Sequence, residues 1–185
     1  AVQTDTSGNT SPASSVTFTV VAAPGDADGD GLPDQQKGPI GTNPNDPDSD
    51  DDGLTDGAEV NTHGTQPLNP DTDGDRITDG REVAGVRIRE RFEVCGKKAR
   101  TAIIVTTDPL AKDTDKDGLT DGAEVRGTKV KQKVRTKTKS FKSGKTRTNP
   151  TKKDTDRDGL ADKVELTGKA NKRYKKAKTD PSKCD

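Results

Sequence analysis

The sequence predicts a mostly irregular repeat array: tandem acidic loops with single-turn helices and β-hairpin inserts, preceded by N-terminal β-strands. Three observations predict it. A twelve-residue acidic spacing recurs five times within 185 residues, only 24% of residues are hydrophobic and 2% aromatic, and basic residues gather in alternating stretches between the acidic ones. With 35% of residues charged, such a chain cannot bury enough apolar surface to offset the entropy of ordering it. Something other than an oily interior must hold it together.

The stretch DTDKDGLTDGAE, from Asp113, sets the pattern. Asp113, Asp115 and Asp117 fall at positions 1, 3 and 5, Gly118 at 6, Asp121 at 9 and Glu124 at 12. Like charges this crowded repel strongly in a partly buried setting, and a divalent cation relieves the repulsion. The order is that of an EF-hand-type loop. Carboxylates come from positions 1, 3 and 5, a backbone carbonyl from Leu119 at 7, Asp121 often acts through a water, and Glu124 binds bidentately. Six to eight oxygens in flexible geometry suit calcium better than magnesium, which demands a tight octahedron.

The same spacing places Asp48, Asp50, Asp52, Leu54, Asp56 and Glu59 in loop 48–59, and Asp71, Asp73, Asp75, Ile77, Asp79 and Glu82 in loop 71–82. It places Asp154, Asp156, Asp158, Leu160, Asp162 and Glu165 in loop 154–165. The first loop, 26–37, offers Asp26, Asp28, Asp30, Leu32 and Asp34, but Lys37 stands at position 12. Of about five calcium ions, the one there is expected to be held most weakly or to borrow a ligand. Arg76 occupies position 6 of the third loop, where a positive φ is expected and a side chain is strained.

Pro44, Pro67, Pro109 and Pro150 each stand four residues before the first aspartate of the second to fifth loops, and Pro181 stands four before Asp185. Asp185 is therefore expected to open a sixth loop, and the chain to be a piece of a longer protein. The unit T-[N/D]-P-x-x-x-D-T-D-x-D-G-L-x-D-G-x-E-V resembles the thrombospondin type 3 repeat in its bacterial form, and the likeness covers most of residues 26–185. The resemblance implies tandem calcium-binding loops along a wire-like stalk, with the ions serving as the core, in a secreted or cell-surface protein.

Within each loop the apolar pairs Leu54 with Val60, Ile77 with Val83, Leu119 with Val125 and Leu160 with Leu166 occupy positions 7 and 13, and each is expected to form a small plug behind its ion. The position 9 aspartates are good helix N-caps. Gly85, Gly127 and Gly168 follow each Glu by three residues and should end helices of about one turn. No upstream segment has helical periodicity, which separates these loops from a true EF-hand.

Three inserts interrupt the repeats and read as projections from the stalk. In 86–107, Val86, Ile88, Phe92 and Val94 alternate with Arg87, Arg89, Arg91 and Glu93, as a β-hairpin would require. In 128–148, Lys129, Lys131, Lys133, Arg135, Lys137 and Lys139 fall on one face of a strand. The third insert, 168–179, is shorter and again basic. A net charge of zero thus hides segregation, with acids mainly in loops and bases mainly in inserts. The cationic strand is open to three readings: a solvated edge that blocks sheet pairing, a partner for the negative field of neighbouring loops or of another copy, or a surface for a polyanion such as an acidic glycan, wall polymer or extracellular nucleic acid. Phe141 and Tyr174 are too few to argue base stacking.

Residues 1–23 differ in kind. Their turn-rich SGNTSP followed by SVTFTVV resembles the last two strands of a bacterial immunoglobulin-like module, with Pro24 and Gly25 marking the boundary. Cys95 and Cys184 are either bonded to each other or remain free or intermolecular thiols. The single histidine, His63, argues against zinc and against a Ser-His-acid constellation. No run of eighteen apolar residues exists to span a membrane. The carboxylate pairs are committed to ions and lack the apolar pocket that raises a catalytic acid's pKa, so the segment is not read as an enzyme and no small-molecule substrate is expected. The reading is a calcium-rigidified stalk or fibre segment of a secreted or cell-surface bacterial protein, possible partners being other copies of itself. The alternative is an adhesion module whose basic hairpins bind a polyanion.

Overall fold

The computed structural model describes residues 3–4, 10–11, 25–97, 100–129, 133–135, 140–142, 145–168 and 178–184. Among these are short helices and two-stranded antiparallel pairs. Each helix begins at position 9 of a loop: α1 (Asp34–Ile40), α2 (Asp56–Ala58, continued by a wider turn over Glu59–His63), α3 (Asp79–Ala84), α4 (Asp121–Arg126) and α5 (Asp162–Thr167). They end at Gly41, Gly64, Gly85, Gly127 and Gly168.

The N-cap, however, is position 8 and not the aspartate at 9. The Thr55 and Thr120 hydroxyls accept from the Ala58 and Ala123 N–H groups at 3.2 and 3.3 Å. The aspartate is the first helical residue because its carboxylate is drawn back across its own loop. Asp34, Asp56, Asp79, Asp121 and Asp162 each accept from the backbone N–H at position 2 at 2.9 to 3.0 Å.

Successive loops are joined by one repeated contact. The position 5 carboxylate of one loop accepts from the position 10 N–H of the next: Asp30 from Gly57 (3.1 Å), Asp52 from Gly80 (2.7 Å), Asp75 from Gly122, and Asp117 from Lys163 (3.2 Å). Position 10 is glycine at three of these junctions because the preceding loop's backbone lies against it. A Cβ on Gly80 would sit 2.5 Å from the Asp52 carbonyl oxygen.

Strands β3 (Val86–Ile88) and β4 (Ile103–Val105) pair antiparallel, with Val86 opposite Val105. Val86, Ile88 and Phe92 are buried. This hairpin is not a free projection. Beyond the Phe92–Arg100 bridge, the Glu93 N–H donates to the Ser182 carbonyl at 2.8 Å, the Cys184 N–H to the Glu93 carbonyl at 2.8 Å, and the Cys95 N–H to the Asp156 carbonyl at 2.7 Å. Cys95 and Cys184 are joined in a disulfide spanning 89 residues of sequence. The insert therefore lies against the fifth loop and the 178–184 segment.

In the second insert, β5 (Thr128–Lys129) pairs with β8 (Lys145–Thr146) and β6 (Lys133–Arg135) with β7 (Ser140–Lys142). Lys129 is exposed, and Lys131, Lys137 and Lys139 lie outside the described residues, as does most of the third insert. At the N-terminus β1 (Gln3–Thr4) pairs with β2 (Thr10–Ser11). The SVTFTVV stretch and Asp185 also fall outside the described residues.

Among the described residues the buried apolar side chains are Leu32, Leu54, Ile77, Val86, Ile88, Phe92 and Leu166. The expected plugs are only half formed. Leu32, Leu54 and Ile77 at position 7 are buried, whereas Leu119 and Leu160 are half-buried and Val60 at position 13 is 40% exposed. Position 13 is not uniform: Val83 and Val125 are half-buried and Leu166 is buried. Buried polar and charged residues outnumber the apolar ones: the interior of these loops is made of carboxylates and threonines.

Candidate metal centres

Among the described residues five acidic clusters meet, one per loop: Asp26, Asp28 and Asp30; Asp48, Asp50 and Asp52; Asp71, Asp73 and Asp75; Asp113, Asp115 and Asp117; and Asp154, Asp156 and Asp158. In each, three carboxylate oxygens lie within 4.8 Å of one another.

The backbone builds these clusters by turning each aspartate onto its own loop. Position 1 accepts from the N–H at position 6, as in Gly53 to Asp48 at 3.0 Å and Gly118 to Asp113 at 2.8 Å. Position 3 accepts through one oxygen from the N–H at 5, as in Asp75 to Asp73 at 2.8 Å. Position 5 accepts from the N–H at 7, as in Leu119 to Asp117 at 2.6 Å. This folding needs positive φ at positions 4 and 6. Glycine supplies it at most of them, but Asp51, Lys116 and Arg157 at position 4 and Arg76 at 6 adopt φ of 59 to 81°. The strain foreseen at Arg76 is present, and three further positions share it.

Glu59, Glu82, Glu124 and Glu165, at position 12, are buried. One oxygen of each accepts from a threonine hydroxyl: Thr65 at 3.1 Å, Thr107 at 2.8 Å, Thr148 at 2.8 Å and Thr179 at 2.7 Å. Thr65 stands two residues before Pro67, and the other three occupy the same place in later repeats. The repeat pattern alone assigned this threonine no role; it is the residue that orients the position 12 carboxylate. The recurrence of Thr two residues before Pro67, Pro109, Pro150 and Pro181 was the available signal.

The other oxygen of each glutamate is buried without a hydrogen-bond partner, as is one oxygen of Asp50, Asp73, Asp115 and Asp156 at position 3. In four loops, therefore, the residues at 3 and 12 each turn one anionic oxygen into a space holding no donor. Such orphans cost about 1–3 kcal/mol each, more when charged. Their chemistry, hard anionic oxygens beside the position 1 and 5 carboxylates, fits calcium.

Burial is the main cause that pushes Glu59 and Glu82 up to about 8, Glu165 to about 9 and Glu124 to about 10; the threonine bonds pull back, and aspartates of the same loop push further. Burial likewise raises Asp50, Asp73 and Asp115 to about 6 and Asp156 to about 7. The position 9 carboxylates are tied to their own loops, and one oxygen of Asp79 is buried without a partner. Both Asp121 oxygens are held by Thr114, at 3.0 and 2.6 Å, and its charge lies near Asp75 of the preceding loop. Burial pushes Asp162 up to about 8, with Asp117 and Asp115 of the loop before it contributing.

The first loop differs. Its space is filled by the Lys37 ammonium, which contacts Asp28 and lies 2.9 Å from Asp30 Oδ2.

A family model of the bacterial TSP3 repeat matches residues 48–70, 71–85 and 113–126, which hold the second, third and fourth loops. TSP3 repeats are structural, calcium-binding and extracellular, and are not an enzyme family. Among curated proteins and among solved structures, nothing matches the chain.

Proposed function

On the strength of the bacterial TSP3 repeats it carries, we propose that this chain is a calcium-rigidified structural stalk or fibre segment of a secreted or cell-surface bacterial protein. The observation that carries the reading is the pair of buried, unpartnered carboxylate oxygens at positions 3 and 12, repeated in four loops. Asp48, Asp50, Asp52 and Glu59 would hold one ion, and the equivalent residues of the third, fourth and fifth loops would hold others. Calcium, when bound, supplies the positive charge that makes this anionic interior stable. The position 5 carboxylates then pass the order of one loop to the next through the position 10 N–H groups. No helix among the described residues is long and apolar enough to cross a membrane.

A calcium titration followed by circular dichroism and small-angle scattering, reversed with chelator, tests the proposal. Saturable stiffening that chelation undoes is expected; a shape indifferent to calcium overturns it.

The protonation of the loops gives a second expectation. A carboxyl whose folded pKa lies above its unfolded value stabilises the metal-free fold fully below the unfolded value, here 4.5 for glutamate, and loses that contribution as pH rises through the folded one. For the position 12 glutamates the loss begins near 4.5 and is complete once pH has risen through the folded values of about 8 to 10. Calcium-stripped protein is therefore more stable at pH 5 than at pH 9, while calcium binding at pH 7 displaces protons and tightens as pH rises. Calorimetry in two buffers of different ionisation enthalpy reads the released protons directly, and equal heats in both buffers refute the expectation.

A second reading is favoured by the register of the basic insert, which sets Lys129 opposite Lys145 and Lys133 opposite Lys142. Like charges directly opposite destabilise a strand pair, so an anionic polymer bound there would relieve a cost the fold otherwise carries. Saturable, salt-sensitive binding of heparin in calcium would support an adhesion role; its absence leaves the stalk.

A further inference from the structure

We infer that Lys37 is the resident cation of the first loop: its ammonium fills the space that the other four loops leave for a metal ion, and the first loop takes no calcium. The inference rests on the calcium reading of the other loops and concerns the one loop whose residues do not fit that ion.

The geometry is specific. The Lys37 side chain is fully buried; its ammonium contacts Asp28 Oδ2, lies 2.9 Å from Asp30 Oδ2, and stands 3.9 Å from Asp56 Oδ2 of the second loop. It also reaches the Asp46 carbonyl at 3.4 Å. Asp28 Oδ2 is the position 3 oxygen whose counterparts in the other loops, on Asp50, Asp73, Asp115 and Asp156, are buried and without a partner. A lysine at position 12 thus supplies positive charge where the other loops supply a second acceptor.

An independent residue records the same exchange. Thr42 is the first loop's counterpart of Thr65, Thr107, Thr148 and Thr179. Its N–H still donates to the position 12 carbonyl, at 3.1 Å from Lys37 O. Its hydroxyl, however, is buried without a partner, because the carboxylate that its counterparts orient is missing. The lead-in of a metal loop has been kept while the metal's main ligand has been replaced by a cation. An ammonium is a compact charge with three donors, and here Asp28, Asp30 and the Asp46 carbonyl take them. Admitting calcium would require driving this buried charge out against the metal's repulsion.

The consequence is a first junction whose charge balance is internal. Asp30 both pairs with Lys37 and accepts from the Gly57 N–H of the second loop, so the link between the first two loops carries its own counter-ion at any calcium concentration.

Two measurements on the full chain test this. Native mass spectrometry in calcium counts ions on the parent and on Lys37→Glu, which restores a carboxylate at position 12 and gives Thr42 its acceptor. The variant is expected to hold one ion more than the parent; equal counts overturn the inference. Because the variant could fail to fold, lysine acetylation of the unaltered protein in saturating calcium provides the second measurement. Lys37 is expected to stay unmodified while the exposed Lys97, Lys112 and Lys116 react. If calcium fills the first loop, the ammonium is expelled and Lys37 reacts with them. A chain that binds no calcium at all would instead refute the function proposed above, so the two failures are distinguishable.

Discussion

Glu124→Gln is expected to lower the melting temperature in saturating calcium by about 5 to 11 °C and to remove one bound ion, while leaving calcium-stripped protein almost unchanged. Glu124 is 2% exposed, with one oxygen on the Thr148 hydroxyl and the other unpartnered. Its pKa is pushed up to about 10, chiefly by burial, so without metal it is neutral at pH 7. Glutamine copies that neutral state and keeps the acceptor for Thr148. With metal, the carboxylate's charge is what the ion requires, and the amide cannot supply it. A site held at a hundredfold excess of ion over its dissociation constant stabilises the fold by about 2.7 kcal/mol. For a chain of this size each kcal/mol moves the midpoint by about 2 to 4 °C. Thermal melts with and without chelator, with ion counts by native mass spectrometry, measure both halves. Equal destabilisation in the two conditions would make Glu124 a packing residue and remove the support for a metal in that loop.

Replacing both Cys95 and Cys184 by serine is expected to destabilise the hairpin and the last loop more than any single ligand change. The bond closes a loop with a sequence separation of 89 residues, and the chain-entropy description assigns such a loop about 4 to 5 kcal/mol. The loss should be local. Arrays whose units contact mainly their neighbours lose stability near the lesion and keep it elsewhere. Hydrogen exchange at the Glu93, Cys95 and Cys184 amides, which bind the Ser182, Asp156 and Glu93 carbonyls, should accelerate by at least a hundredfold. The Gly53 and Gly57 amides, bound to Asp48 and to Asp30 of the first loop respectively, should stay protected in calcium. Uniform acceleration along the chain, or none anywhere, contradicts a local brace.

Seen from the residues, the acidic spacing was legible because it is local. Asp113, Asp115 and Asp117 meet by folding onto amides two to five residues away, and chain geometry over so short a span leaves little choice. The glycine stops at Gly85, Gly127 and Gly168 were legible for the same reason, as was the strain at Arg76. The hairpin over 86–107 followed from period-two alternation.

What the sequence alone determined is the set of acidic loops, their short helices and the absence of an apolar core large enough to replace them, because each depends on neighbours a few residues apart or on composition. Only the tertiary structure decided which atoms finish those loops. Thr107 reaches Glu82 across 25 residues, Asp75 reaches the Gly122 N–H across 47, and Cys95 reaches Cys184 across 89. It also decided that Lys37 turns inward onto Asp28 and Asp30 and not outward to water. A lysine's position in the chain does not reveal whether its long, flexible stem will carry the charge into solvent or into a nearby anionic space; that depends on whether the folded neighbours offer enough carboxylate oxygen to replace its hydration.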